Sequence, residues 1–264
     1  MEAIVNVVRV RFLLSRRWIL FFVAVVMLAY LAFRLGEWQF NRLEEREQRN
    51  AVTQRNLAAD PVPAEDVLAV DQPVSAHDEW RHVTATGDFA DDETVVVRYQ
   101  TRDGKSGVDV VTPLVTDQGW ALLVNRGWVA TGNVGTTEPD IPPAPSGEVT
   151  ITGWVRADAT GDSAAVSDGS TRAISSVTIG QTLPYPVYRG FVELDEQTPP
   201  ATEPLGKVEI PDLGEGPHFF YGLQWWFFAA LALFGFVFLA WDERKKMRRA
   251  KERPSSPVET GSKV

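Results

Sequence analysis

The stretch from Phe219 to Trp241 carries no charge, and only Tyr221 and Gln224 bring a hydroxyl or an amide into it. At a rise of about 1.5 Å per residue it makes a helix of roughly 34 Å, enough to cross a hydrocarbon core of about 30 Å with some tilt. Its entrance is unusual for a plain anchor. With about 3.6 residues per turn, His218, Tyr221, Gly222, Trp225 and Ala229 fall on one stripe, while Gln224 faces elsewhere. A polar, aromatic stripe with small residues suits a partner helix or a flat ligand better than lipid alone.

A second apolar run, Trp18 to Phe33, is bounded by Arg16-Arg17 and Arg34. Alone it gives only about 24 Å, but if Arg34 snorkels the helix continues to Trp38 and reaches roughly 31 Å. A cleaved signal peptide competes with an anchor here. No A-x-A site follows, and Glu37 to Ala59 reads as an unbroken helix lacking Pro and Gly, so an uncleaved anchor is expected. The Arg and Glu residues of that extension read as a solvated face. Pro61-Val62-Pro63 ends it.

Charge supplies the orientation. Residues 1–17 hold four Arg and one Glu, and residues 242–264 hold eight Lys/Arg and four Asp/Glu, so of the total of −9 the segment 18–241 carries −16. Basic groups beside apolar runs argue against nucleic-acid binding and place both termini in the cytoplasm. The expected organisation is a basic N-terminus (1–17), a first span (18–35), a juxtamembrane helix (36–60), a β-rich extracytoplasmic domain with its connector (61–216), a second span (217–241) and a basic cytoplasmic tail (242–264). The fold class is an α+β membrane protein, two spans framing a compact β-rich domain, in the cell membrane. On this topology Gly36, Trp38, Gln39 and Arg42 leave the first helix where His218, Tyr221, Gln224 and Trp225 enter the second. Trp18, Trp226 and Trp241 read as an interfacial belt, whereas Trp38 and Trp225 stand among polar neighbours.

Between the spans, Val95–Val97, Val108–Val115, Trp120–Val129, Val149–Val155 and Tyr188–Leu194 read as strands, with a hairpin-like turn at Thr116-Asp117-Gln118-Gly119. Ile174–Leu183 reads as a short helix, Ala159–Thr171 as a mobile loop, and the Pro-rich segment 196–216 as an extended connector. The absence of cysteine excludes disulfides, Cys-ligated zinc, iron–sulfur clusters and covalent CxxCH haem attachment. GxSxG, HExxH, P-loop and Rossmann signatures are missing too, so no enzyme is expected. Asp91-Asp92-Glu93 reads as a solvated acidic turn, and His77 and His82 as weak ligand candidates.

The ordered motifs carry a resemblance. Gly36-x-Trp38-Gln39-x-x-Arg42, Arg81-x-Val83 with Gly87-x-Phe89, Gly107-x-x-Val110-Val111-Thr112-Pro113-Leu114, Leu123-Val124-Asn125-Arg126-Gly127-Trp128-Val129, Gly153-x-Val155-Arg156 and His218-x-x-Tyr221-Gly222-x-Gln224-Trp225 resemble the surfeit locus protein 1 family of cytochrome c oxidase assembly factors. Gly222 stands where the family usually has Ala, and Gly216-Pro217 replaces a polar approach to the histidine. The resemblance implies help in getting haem a into the large subunit of a haem–copper oxidase, with oxidase subunit 1, a haem a synthase and a respiratory supercomplex as partners. It also implies that His218 is a ligand to the haem iron. Tyr221, Trp225 and Trp38 then offer apolar surface, and Arg42 or Arg34 meets the propionates. A hydrogen-bonded interfacial role for His218 stays open, as does a permanent accessory subunit without pigment. Gln39 and Gln224 read as packing residues, Gln224 as the hydrogen-bond partner between helices. Asn125, Arg126 and Trp128 read as fixing a turn and packing the β-domain, with docking of a partner as the alternative.

Overall fold

The computed structural model describes residues 11–131 and 140–252. The rest of the two expected terminal segments, residues 1–10 and 253–264, lies outside them. Three α-helices, α1 (Arg16–Leu57), α2 (Ser176–Ile179) and α3 (His218–Glu252), accompany eight strands. These are β1 (Val62–Pro63), β2 (His82–Phe89), β3 (Val95–Arg102), β4 (Lys105–Thr116), β5 (Ala121–Ala130), β6 (Glu148–Arg156), β7 (Ser170–Thr171) and β8 (Phe191–Thr198). They form two compact units, one from the chain up to Gln48 and from Gly214 onward, the other from Arg49 to Leu213.

The first unit is an antiparallel helix pair. α1 runs without a break from the expected span into the expected juxtamembrane helix, because its 42 residues contain no proline and a single glycine. Val25, Ala29, Ala32 and Gly36 turn inward. Their alternating spacing of four and three is the period of a coiled-coil seam. Rings meet across the pair from Trp18 on Phe236 at 5.9 Å to Phe40 on Phe219 at 6.2 Å. The outer faces stay apolar and exposed, among them Leu28, Leu31, Phe220, Phe227 and Phe234. A helix apolar all round is stable in hydrocarbon, and both helices are long enough to cross it. The chain is therefore a membrane protein of α+β class.

The second unit is a closed barrel. Strands run β2-β6-β8-β5-β4, and β4 returns to β2 through Gly87↔Thr116, Asp88↔Val115 and Phe89↔Leu114. All pairs are antiparallel except β5–β8, which is parallel at Val124↔Val192 and Asn125↔Glu193. Closure depends on the length of β4. Its 12 residues keep one edge on β5, while the other edge holds first β3 and then β2. β1 pairs with β2 and β7 with β3 outside the ring.

Alternation along β5 feeds two cores. Leu122 and Val124 join Val83, Leu114, Ile151, Val155 and Val192, whereas Ala121 and Leu123 join Val95, Val97, Val111, Ile179 and Phe191. Each fully buried Leu among them contributes roughly 1.5–3 kcal/mol. The 116–119 turn forms as expected, with Gly119 donating to the Thr116 carbonyl. The segment 159–171, read as a mobile loop, carries regular structure of its own. It holds a 3-10 turn at Asp162–Ala164 and strand β7, because Ala164 and Thr171 are buried. Of the Arg and Glu residues in 37–59, Arg42, Glu44, Glu45, Glu47, Arg49 and Arg55 are exposed as expected, and the helix is tied down by another residue. Asn56 is buried and donates to the carbonyls of His77 and Glu79 at 2.7 and 2.9 Å.

Gly87 is where closure is most exposed to substitution, since a Cβ there would lie 2.2 Å from the Val115 carbonyl oxygen. Gly87→Val is expected to force β2 off β4 and cost about 2–3 kcal/mol in denaturant unfolding followed by tryptophan fluorescence. Gly119→Ala, with nothing within 4 Å of its Cβ, is expected to lose only about 1 kcal/mol, from its positive φ.

Candidate functional site

The start of α3 lies against α1 because glycines admit aromatic rings. A Cβ at Gly36 would sit 2.3 Å from the Trp226 ring, and one at Gly222 would sit 2.7 Å from Phe40. Trp226 stacks on Phe33 at 6.0 Å and leans on Phe40 at 4.7 Å. Trp226 is thus a packing residue of the helix pair, not the pure belt residue expected. One turn beyond this clasp, His218 Nδ1 lies 2.8 Å from Gln39 Oε1. Further along, Arg46 Nε donates to the Gly214 carbonyl at 2.6 Å.

The Gln39 contact decides the chemistry of the imidazole. With a carboxamide oxygen as acceptor, Nδ1 carries the proton, and a neutral ring then presents Nε2 as a bare lone pair. That nitrogen has no hydrogen-bond partner among the described residues. An imidazole oriented through its other nitrogen is the usual form of a metal-ligating histidine.

The remaining expected site residues are spread around the helices. Trp38 is two positions past Gly36, about 200° around the helix, so it points away from α3. It is half exposed, with the Arg42 guanidinium 5.8 Å from its ring. Arg42 also pairs with Glu45 at 2.8 Å, and Arg34 with Glu37 at 3.2 Å. Tyr221 is half exposed. Trp225 packs edge-on to Phe228 at 5.9 Å, and no ring contact joins it to Trp38 among the described residues. Gln224 is exposed on the side away from α1. The amide that bridges the helices is Gln39, not Gln224.

Asn125, Arg126 and Trp128 lie in the barrel and do not form a turn. Val110 pairs with Gly127 and Val111 with Asn125, so Arg126 is the extra residue of a bulge in the middle of β5. Gly127 has φ 133, and a Cβ on it would lie 2.5 Å from the Gly206 carbonyl oxygen. Arg126 is buried, faces Asp91 at 3.6 Å and donates to the carbonyls of Pro142 and Pro143. Asp91 is therefore engaged internally rather than merely solvated. Asn125 donates to Glu193 Oε2 at 2.7 Å.

Glu193 belongs to a buried polar cluster that strand alternation did not flag. Arg156 approaches it at 3.9 Å and reaches Glu79 at 3.7 Å, while Asp109 binds Arg102 at 2.8 Å. Burial pushes the Glu193 carboxyl from its ordinary 4.5 up to about 7, Arg156 opposing and Asp109 adding to the rise. Asp109 is also raised by burial, against Arg102 and the Asn125 amide. Sequence alone held one signal for this cluster, an Asn and an Arg inside an otherwise apolar strand.

The SURF1 family model matches residues 26–230. An uncharacterised SURF1-like protein of Mycobacterium tuberculosis is 32% identical over 256 residues, covering 94% of this chain and 93% of that protein. A SURF1-like protein of Monosiga brevicollis is 29% identical over 270 residues, 90% of this chain and 93% of the relative. The yeast cytochrome oxidase assembly protein SHY1 is 30% identical over 105 residues, 39% of this chain and 26% of the yeast protein.

Between pH 4.5 and about 7 the folded barrel holds on Glu193 a proton that the unfolded chain has released. Stability is therefore expected to fall as pH rises through that window, by at most about 3 kcal/mol. Glu193→Gln is expected to flatten the slope, leaving the smaller share from Asp109. Denaturant midpoints of both proteins across that pH range check this, and an unchanged slope in the variant would contradict it.

Proposed function

Because this chain belongs to the SURF1 family, we propose that it is an assembly factor for a haem–copper cytochrome oxidase that helps haem a reach the large subunit. Support for the assembly role comes from the yeast relative, a cytochrome oxidase assembly protein. Support for the haem role comes from one contact, the 2.8 Å pairing of Gln39 with His218. It leaves Nε2 as the free donor atom that an axial haem ligand needs.

In this reading His218 holds the iron of haem a, and Gln39 keeps the imidazole in the required tautomer. Tyr221 and Trp225 offer apolar and aromatic surface near the start of α3, whereas Trp38, turned away from α3, is not part of it. Arg42 meets a propionate. Its pairing with Glu45 is half exposed on both sides, and such pairs contribute about 0–1 kcal/mol, little enough to be exchanged for a ligand carboxylate. Haem, when bound, would supply the absorption band, and these residues would supply its orientation and protection. The barrel lies outside the cell membrane, with both termini in the cytoplasm. Oxidase subunit 1 receives the haem, and a haem a synthase or a respiratory supercomplex is a further partner. No chemical reaction is assigned to the chain.

The detergent-purified full chain, co-expressed with haem a synthesis, is expected to show a haem absorption band that His218→Ala abolishes. Gln39→Leu is expected to weaken haem retention about 10- to 100-fold, the usual cost of losing the partner that orients a ligand. A band of equal strength in His218→Ala overturns the haem reading. Fixed one-to-one co-purification with mature oxidase, without pigment, would favour a permanent accessory subunit.

A further inference from the structure

β3 contains a feature that neither core requires. Val97 pairs with Asp109 and Gln100 with Gly107, so Arg98 and Tyr99 together face the single residue Val108. This is a two-against-one bulge, a device that re-aims a side chain. Tyr99 sits at its crest with φ 66 and is 75% exposed. Left-handed backbone is unfavourable for a bulky residue, and glycine would take the position without strain. A large aromatic kept there, in water, contributes nothing to either core.

The bulge is held from both sides. Val97 is buried in the second core. Past the crest, Trp128 Nε1 donates to the Gln100 carbonyl at 3.2 Å, and the Arg102 guanidinium lies 5.9 Å from the Trp128 ring. Gly107 leaves room for that indole, since a Cβ there would come 2.2 Å from it. The tryptophan of the Asn-Arg-Gly-Trp segment thus fixes the strand immediately behind Tyr99.

One guanidinium group lies against the tyrosine, and a second arginine is its neighbour in the chain. Arg172, next to β7, lies 5.4 Å from the Tyr99 ring, and Arg98 is its exposed neighbour. Neither pairs with a carboxylate of the described residues, whereas Arg102, Arg126, Arg156 and Arg189 each face one. That is notable in a segment, 49–213, with 25 Asp and Glu against 11 Lys and Arg. The acids bordering the adjacent cleft, Asp91 and Asp168, are engaged by Arg126 and by the Ser167 hydroxyl.

We propose that Tyr99, Arg98 and Arg172 form the surface by which the barrel docks a carboxylate-bearing segment of the oxidase under assembly. The assignment of the partner rests on the function proposed above. Tyrosine and arginine are the side chains that most often dominate binding interfaces. Exposed guanidinium groups beside an aromatic ring, in an otherwise acidic domain, favour a carboxylate-bearing partner at this spot and help fix the register of docking.

The test uses the full-length protein in its native membrane, with benzoylphenylalanine placed at position 99 or, as a control, at the exposed turn position 117. Light is expected to join position 99, but not 117, to an oxidase subunit, and the charge reversals Arg98→Glu with Arg172→Glu are expected to abolish the adduct. An adduct from 117 and none from 99 overturns this surface and leaves the assembly role standing. No oxidase adduct from either position, and none co-purifying, overturns the assembly role itself. Tyr99→Gly adds a readout that a structural role would not give. Oxidase co-purification is expected to fall about tenfold, while the thermal midpoint stays level or rises. A lowered midpoint with co-purification intact overturns the proposal.

Discussion

The site depends on how closely two membrane helices can approach at Gly36 and Gly222. Lipid tails are as apolar as leucine, so helices gain nothing by merely hiding hydrophobic surface from them. What holds them is dispersion, about 0.1–0.2 kcal/mol per atom pair, which only dense contact accumulates. Trp226 over Gly36 and Phe40 against Gly222 provide that density. Their register sets His218 opposite Gln39. The hydrogen bond contributes on the order of 1 kcal/mol in a membrane, so it follows from the packing rather than causing it. Its importance is chemical, because it selects which imidazole nitrogen is bare.

The barrel works by a related economy of glycines. Gly87 lets β2 reach β4, Gly153 lets β6 pass the Glu193 carbonyl, and Gly127 carries the β5 bulge past Gly206. Around these approaches lies a polar cluster that costs stability. Glu193 and Asp109 are desolvated, and their arginines sit at distances between 2.8 and 3.9 Å. Breaking such a cluster by removing one partner is costlier than never having built it. Asn125 links it to the bulge, donating to Glu193 and accepting from the Gly127 backbone N–H. The motif residues are therefore mostly devices for close packing and for satisfying one another in the interior.

Much of this was legible in the sequence. Uninterrupted apolar runs gave both helices, and β-branched alternation with a Thr-Asp-Gln-Gly turn gave the β4–β5 hairpin, because these are local properties. The parallel β5–β8 pair and the β2–β4 closure are contacts between distant segments, and no single strand's pattern contains them. The packing of Trp226 is not legible in sequence, because an indole near a bilayer boundary looks the same whether it faces lipid or a glycine on another helix. Sequence gives Gln224 an interhelical hydrogen bond that the structure gives to Gln39 instead, since only the pairing register tells which amide faces inward. The resemblance points to His218, and the two-span topology brings Trp38 and Arg42 to the same membrane face. The helix phase joins His218 to Gln39 and turns Trp38 outward.

The account stands or falls on the state of one imidazole. Nitrogen-15 spectra of the full-length protein in lipid bilayers, with histidine labelled and the His218 signals assigned by substitution, read each ring nitrogen directly. The account predicts that His218 is protonated at Nδ1 and bare at Nε2, and that removing the Gln39 carboxamide mixes the two tautomers. A proton on Nε2, or a spectrum indifferent to Gln39, would contradict it.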